Sequence, residues 1–223
     1  MKDINATIII PLKGKTEEEL FNSAEYSRRK NVKKAIRSGL TLFDINSRRE
    51  LERCYKLHSE ILKTGGSTPV PKEEWFARIE REKQKYFAVM YKNEQVGYMS
   101  VMDVDGDYYN SALEGRGIRP RVFAADSKYK DFRVMDFIYW STILYALKNG
   151  YDFVDLGGYQ LNARGHLQGV NRFKEQWGGK LFKFYKNYSF FKAIGRKLVR
   201  SFYLVWYFNN LLKGRKETYG DNN

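Results

Sequence analysis

The segment YDFVDLGGYQLNARGHLQGVNRFKEQWGGK, residues 151–180, restricts the architecture of this chain more than any other stretch. Tyr151 to Leu156 is a compact β-type run that Gly157 and Gly158 end. A polar loop follows. Gln168 to Trp177 is rich in helix formers, and Gly178 and Gly179 stop it as glycines stop helices at their C-termini. The helix carries Arg172, Phe173 and Lys174 side by side. A cation on a short helix, opposite a strand that opens at two glycines, suits a site that must hold a developing oxyanion.

Before this segment, Arg133 to Lys148 predicts a long helix with Val134, Phe137, Ile138, Ser141, Leu144 and Tyr145 on one face, closed by Gly150. After it, Leu181 to Lys186 predicts a last strand. Further upstream, Tyr86–Tyr91 and Val96–Val101 flank a polar turn. Asp105-Gly106 is a hairpin signal that leads into a strand over Tyr108–Glu114. Gly115 to Arg121 reads as an irregular basic stretch before Val122-Phe123-Ala124.

At the N-terminus, Thr7 to Leu12 is a short apolar strand. Thr16 and Glu19 have capping-box spacing, and that helix runs on, or breaks and restarts, through the basic segment to Ser38. Leu40 to Phe43 reads as a strand. Asn46 or Ser47 caps a helix reaching about Lys63, and Pro71 opens another. The order of elements predicts an α/β (α+β) fold: a mixed, largely antiparallel sheet flanked by helices. Residues 1–45 form a strand and basic helical lead-in, 46–188 the main domain, 189–213 an amphipathic helix and 214–223 a polar tail.

Charge decides which partners to consider. The net charge is +14, and residues 28–37 hold six Lys/Arg without an acid while residues 180–216 hold ten without an acid. Such clusters match phosphates on nucleic acid or on an anionic membrane; a solvated basic face is the plainer alternative. Between Ser189 and Lys213, Phe190, Phe191, Ile194, Leu198, Phe202, Val205 and Phe208 fall near one helical stripe, with Lys192, Arg196, Lys197 and Arg200 off it. That helix either lies on anionic lipid or packs on the domain. Met1–Asn5 shows no signal-peptide pattern and no apolar run is long enough to span a bilayer, so a cytoplasmic site is expected, with the inner membrane face as a peripheral surface. The single cysteine, Cys54, excludes an internal disulfide and an all-cysteine zinc site.

The order D-x-G-G at Asp155, Gly157 and Gly158, then F-K-x-x-W-G-G at Phe173, Lys174, Trp177, Gly178 and Gly179, resembles the FemAB-like acyltransferases of the GCN5-related N-acetyltransferase (GNAT) superfamily. Ser27 to Gly39 is similar to another basic segment of that family, and the resemblance covers roughly residues 7 to 186. It implies a GNAT-like sheet and transfer of an aminoacyl group from aminoacyl-tRNA to an amine of a cell-wall precursor peptide. Larger family members carry two such domains, and this chain looks like the second with its lead-in. A homodimer or a partner chain would then replace the first.

The resemblance assigns Lys174 to the carbonyl oxygen, where it would neutralise charge during transfer; by residue type alone it reads as a surface lysine. Asp155 would orient the amine, or pair with Arg172 or Lys174, or cap the following turn. Gly157 and Gly158 form either a bulge that admits substrate or a plain turn. Phe173, Arg172, Arg164, Gly178 and Gly179 complete the substrate-binding candidates. The place of the superfamily's glycine-rich pyrophosphate loop is taken by Ser127 to Arg133, without glycine; Lys128, Lys130 and Arg133 would meet phosphates as side-chain charges.

This departure favours tRNA as donor over acyl-CoA or another acyl carrier, which stays as the alternative. A non-catalytic nucleic-acid or membrane-binding module is the second alternative. No permanently bound cofactor and no metal is expected. Asp103, Asp105, Asp107 and Glu114 lack the glycine position of a calcium loop, and His58, Cys54, Trp140 and Trp177 read as core residues.

Overall fold

The computed structural model describes residues 2–64, 66–109 and 111–187. Asn5–Phe184 form one compact unit, and the few described residues outside it group separately. The helix expected over Ser189–Lys213 lies outside the described residues.

Thirteen elements follow one another: β1 (Lys2–Pro11), α1 (Glu17–Ser23), α2 (Tyr26–Arg37), β2 (Leu40–Asp44), α3 (Arg48–Thr64), α4 (Lys72–Glu82), β3 (Lys85–Tyr91), β4 (Glu94–Val104), β5 (Gly117–Ala125), α5 (Val134–Lys148), β6 (Phe153–Gly158), α6 (His166–Glu175) and β7 (Lys180–Asn187). The strands form one sheet in the order β2-β3-β4-β5-β6-β1-β7. Thr16 caps α1 with the expected box: Glu19 N–H donates to Thr16 Oγ1 at 3.2 Å, and Thr16 N–H donates to Glu19 Oε2 at 2.8 Å. The chain breaks in extended conformation at Ala24 and restarts as α2.

The pleat sorts the core. Phe87, Val89, Met99 and Val101 face the cluster under α1, α2 and α5, whereas Tyr86 and Tyr98 face Cys54, Trp75 and Phe76 of α3 and α4. Trp140 and Trp177 are buried as expected, and so is Cys54, whose thiol burial pushes up to about 12. The expected one-sided face on α5 is too narrow. The helix buries Asp136, Tyr139, Thr142 and Ile143 as well as Val134, Phe137 and Ile138, because it is sandwiched between the sheet and α2.

Two expectations fail together, and they matter for the site. Tyr108–Glu114 is not a strand, and the stretch read as irregular, Gly115–Arg121, enters β5 at Gly117. Asp105 Oδ1 accepts from the N–H groups of Asp107 and Tyr108, and the Gly106 carbonyl accepts from Tyr109 and Ser111. These bonds wind Asp107–Tyr109 into a 3-10 turn and drop Tyr109 into the core. Pro120 made β5 look irregular because it lacks an N–H. The strand absorbs it at a bulge, where Ser100 pairs with Val122 but Val101 with Pro120.

The consequential feature lies between β5 and β6. They are parallel, joined by α5 as the crossover, and pair only at Gly117–Phe153 and Ile118–Val154. Beyond those pairs the strands part. The next residue on each strand is Arg119 and Asp155.

Candidate active site

Asp155 stands just past the end of the β5–β6 ladder and is 0% exposed. Its Oδ1 accepts from Gly157 N–H at 2.7 Å and from the Thr7 hydroxyl. Its Oδ2 accepts from the Tyr109 hydroxyl at 2.7 Å and from Arg119 Nη1 at 3.2 Å. Thr7 Oγ1 also lies 2.8 Å from the Gly157 carbonyl oxygen; its single proton serves one of the two acceptors. The buried carboxylate is therefore paired and hydrogen-bonded on both oxygens, the condition for keeping a charge inside a protein. Burial and the Asp155 charge hold the Tyr109 phenol far above its usual range, so it remains a donor.

The ion-pair partner of Asp155 is Arg119, not Arg172 or Lys174, and Asp155 caps the following turn through Gly157. Thr7 pairs with Gly158 across β1–β6 while Ile9 pairs with Asp155, so β6 carries one extra residue. The bulge expected at the glycine pair is present, and Gly157 takes φ +83° to make it.

Lys174 comes to the same place from α6. Asn171 and Lys174, three residues apart, form the buried face of that helix. Asn171 clamps the loop by donating to the Gln160 carbonyl at 2.7 Å and accepting from its N–H. One turn on, Lys174 Nζ donates to the Gly158 carbonyl at 2.7 Å. Lys174 is 7% exposed, so it is not the surface lysine that residue type suggests. Burial lowers its ammonium to about 8; Asp155 opposes that shift and the Arg119 charge adds to it. Among the described residues no carboxylate lies within ion-pair distance of Lys174.

The other candidates scatter. The Phe173 ring packs on Tyr139 and Trp177 with the Arg28 guanidinium 4.9 Å from its centre, which gives it a place in the core. Arg172 is exposed and lines a polar cleft of about 430 Å³ with Glu25, Tyr159, Gln160 and Glu175; Arg164 is exposed away from that lining. Gly178 and Gly179 are pressed against α1 and β1, with no room for a ligand over either α-carbon.

The expected phosphate trio also divides. Lys128 pairs with Glu94 at 3.8 Å, and Lys130 is exposed apart from it. Arg133 joins Tyr26, Lys30, Asn31, Lys34 and Arg37 around a basic hollow of about 480 Å³ on α2. The basic run is partly structural. Arg28 pairs with buried Asp136 at 2.8 Å, and Arg29 closes the end of α1 through the Asn22 and Ala24 carbonyls.

Thr7, Tyr108, Tyr109 and Arg119 escape a reading of the sequence. Tyr108 and Arg119 bond each other, Arg119 Nη1 donating to the Tyr108 hydroxyl at 2.5 Å. Topology alone assembles them: β1 beside β6 brings Thr7, the 3-10 turn brings Tyr109, and β5 beside β6 across α5 brings Arg119.

The order of the strands in the sheet and the helices that flank it make a GNAT-like fold. The comparisons with solved structures bear on the fold alone. FemX superposes with a TM-score of 0.61 at 16% identity, over 81% of this chain and 61% of that one. L-PGS from Bacillus licheniformis gives 0.58 at 14% identity, over 82% of this chain and 61% of its own, and the C-terminal domain of a putative lysylphosphatidylglycerol synthetase from Agrobacterium fabrum gives 0.58 at 12% identity, over 83% of this chain and 60% of its own. The chain thus spans about three fifths of the length of these structures. No protein-family model and no curated protein sequence matches it. Among the described residues no helix is long and apolar enough to cross a membrane.

Proposed function

We propose that this chain is an acyltransferase that moves an aminoacyl group from the ribose ester of an aminoacyl-tRNA to an amine of a cell-wall precursor peptide. The observation that carries the reading is Lys174: a buried cation with no carboxylate partner among the described residues, beside the open end of β6. The acceptor nitrogen uses its lone pair to form a bond to the acyl carbon, and the carbonyl π pair moves onto oxygen. Lys174 faces that oxyanion in a low-dielectric site, where a fixed charge is worth most. Collapse restores the carbonyl and breaks the ester C–O bond. The ribose oxygen leaves with the pair and takes up a proton, and the new amide nitrogen gives one up. Asp155 is a positioning residue that holds Arg119 and the Gly157 turn.

The basic hollow of α2 and Arg133 would receive tRNA phosphates. The name of the Agrobacterium fabrum neighbour, a putative lysylphosphatidylglycerol synthetase, adds a phospholipid to the acceptors worth offering.

Transfer from a charged total-tRNA pool to wall-precursor peptides and to phosphatidylglycerol vesicles tests the reading, with acyl-CoA as a parallel donor. Lys174→Ala should lower transfer about 10²–10³-fold, the usual cost of losing one oxyanion donor. Because the ammonium is the working form, transfer should fall as pH rises past about 8. Deprotonation of the acceptor amine raises every rate with pH, so the fall is read as the ratio of wild type to Lys174→Arg, whose cation does not titrate in this range; a ratio that climbs through that pH would make Lys174 a base. Transfer from acyl-CoA alone would move the chain to carrier-dependent acylation.

A further inference from the structure

Both cations of the site face Gly157. A β-carbon built there would stand 3.7 Å from Lys174 Nζ, 3.8 Å from Arg119 Nη2 and 3.9 Å from Arg119 Nε. Arg119 is 14% exposed at its side chain, and its hydrogen bonds among the described residues, to Asp155 and to Tyr108, both leave from Nη1. Nη2 and Nε keep their donors for the space over Gly157.

The charges do not balance. One carboxylate, Asp155, faces two cations, and its oxygens are already filled by Thr7, Tyr109, Gly157 N–H and Arg119 Nη1. Two like charges held near one another in a poorly solvated place repel, which is the part of the Lys174 shift that Arg119 causes. An anion between them relieves that repulsion. A side chain at residue 157 would fill the place of that anion, and the bulge keeps the position a glycine.

We infer that the space over Gly157 is an anion subsite closed by Lys174 and Arg119 together, and that the tetrahedral oxyanion of acyl transfer is the ligand it takes. Arg119 is then a second catalytic residue, donating to the oxygen whose other donor is Lys174. No proton or electron pair is exchanged with Arg119, since its guanidinium stays charged throughout. The inference rests on the reading of Lys174 as the cation at the reacting carbonyl.

The first test needs no donor or acceptor. The pH midpoint for acetylation of Lys174 by acetic anhydride, followed by mass spectrometry, is measured with and without inorganic phosphate as a tetrahedral oxyanion probe. In the wild type phosphate should raise the midpoint and slow modification several-fold at pH 8. In Arg119→Gln without phosphate the midpoint should already be higher, because a like charge is gone, and the phosphate effect should vanish. Arg119→Lys should restore part of it. Gly157→Ala keeps both cations and fills the gap, so it should abolish the phosphate effect even where Arg119→Gln folds poorly. An unmoved midpoint in the wild type, or an equal shift in Gly157→Ala, overturns the subsite.

In a working transfer assay, Arg119→Gln should lower kcat about 10²-fold with KM little changed. Phosphate protection without transfer from any donor keeps the subsite and removes the tRNA reading. Transfer that ignores Arg119→Gln keeps the transferase and removes the subsite.

Discussion

Gly157-Gly158 and Gly178-Gly179 are the same dipeptide in the same motif, and the molecule uses them in opposite ways. Over Gly158 there is open space, and over Gly157 the nearest atoms are the tips of Lys174 and Arg119, 3.7 Å or more away. Over Gly178 a β-carbon would lie 2.5 Å from the Ser23 carbonyl oxygen, and over Gly179 it would lie 2.5 Å from Ile8 Cγ2 and 2.9 Å from the Ile9 carbonyl oxygen. One pair keeps a space empty at the end of a strand. The other removes space so that the chain leaving α6 can lie against α1 and β1. Glycine serves both ends because it has no β-carbon and tolerates φ +83° at residue 157 and φ +77° at residue 178. A glycine pair near a reactive residue is thus not evidence of a ligand until the distance to the nearest backbone is known.

The largest effect should separate the pairs by stability. Gly178→Ala and Gly179→Ala each force backbone apart, and Gly178→Ala adds left-handed strain, so about 3 kcal/mol or more should be lost in each. Urea unfolding gives the number. A loss below about 1 kcal/mol at either position would mean that α1 yields easily, and the packing account of that pair would fail.

Next in size is Lys174, which belongs with the open pair and should show the opposite sign. Its folded value of about 8 lies below the roughly 10.4 of an unfolded lysine, so the folded state binds this proton more weakly. Stability should therefore rise as pH climbs from about 8 to about 10.4, by at most about 3 kcal/mol. Lys174→Met should gain about 1–3 kcal/mol at pH 7 while losing transfer. Urea midpoints of both proteins at pH 7 and pH 10 check it. Equal midpoints at both pH values would mean that the ammonium is well solvated.

The contrast between the pairs also explains what the sequence could reveal. The strand and helix of residues 151–180 obey local rules and were legible, as were the Thr16 box and the α2 helix; the strand end was not, because β6 starts at Phe153 and runs on through Gly157 and Gly158, which the sequence reads as its stop. Lys174 was legible only through its motif, because a lysine in Arg-Phe-Lys-Glu carries no local sign of burial. Arg119 was hidden for a topological reason. It follows a glycine-rich basic stretch and precedes a proline, and both features argue for a loop. Its partner is 36 residues away in the chain, brought close only when α5 crosses over to make β5 and β6 parallel. The misplacement of Tyr108–Glu114 has a local root: Asp105-Gly106 reads as a hairpin signal, but Asp105 and the Gly106 carbonyl wind the residues that follow into a 3-10 turn.

A smaller effect tests the framework behind the open pair. Tyr109→Phe removes one of the donors to buried Asp155 and leaves the ring contacts with Phe153, Phe182 and Phe184. Loss of one partner to a buried carboxylate should cost about 1–3 kcal/mol. The urea midpoint reads the stability, and the acetylation midpoint of Lys174 should stay close to the wild-type value because the Asp155 charge remains. A full loss of the phosphate effect in this variant would show that the hydroxyl itself faces the anion.

The smallest stability effects belong to the open pair itself. Gly157→Ala meets no atom closer than 3.7 Å, so its cost is the left-handed conformation alone, about 1–2 kcal/mol. Gly158→Ala meets nothing within 4 Å and has no positive φ, so its stability should stay within about 0.5 kcal/mol of the wild type. The two variants then differ little in folding but should differ widely at Lys174, since only residue 157 points a side chain between the cations. Paired urea curves and lysine acetylation profiles on the two proteins resolve this. Equal phosphate responses would mean that the anion does not sit over Gly157, and the glycine there would be needed for the bulge alone.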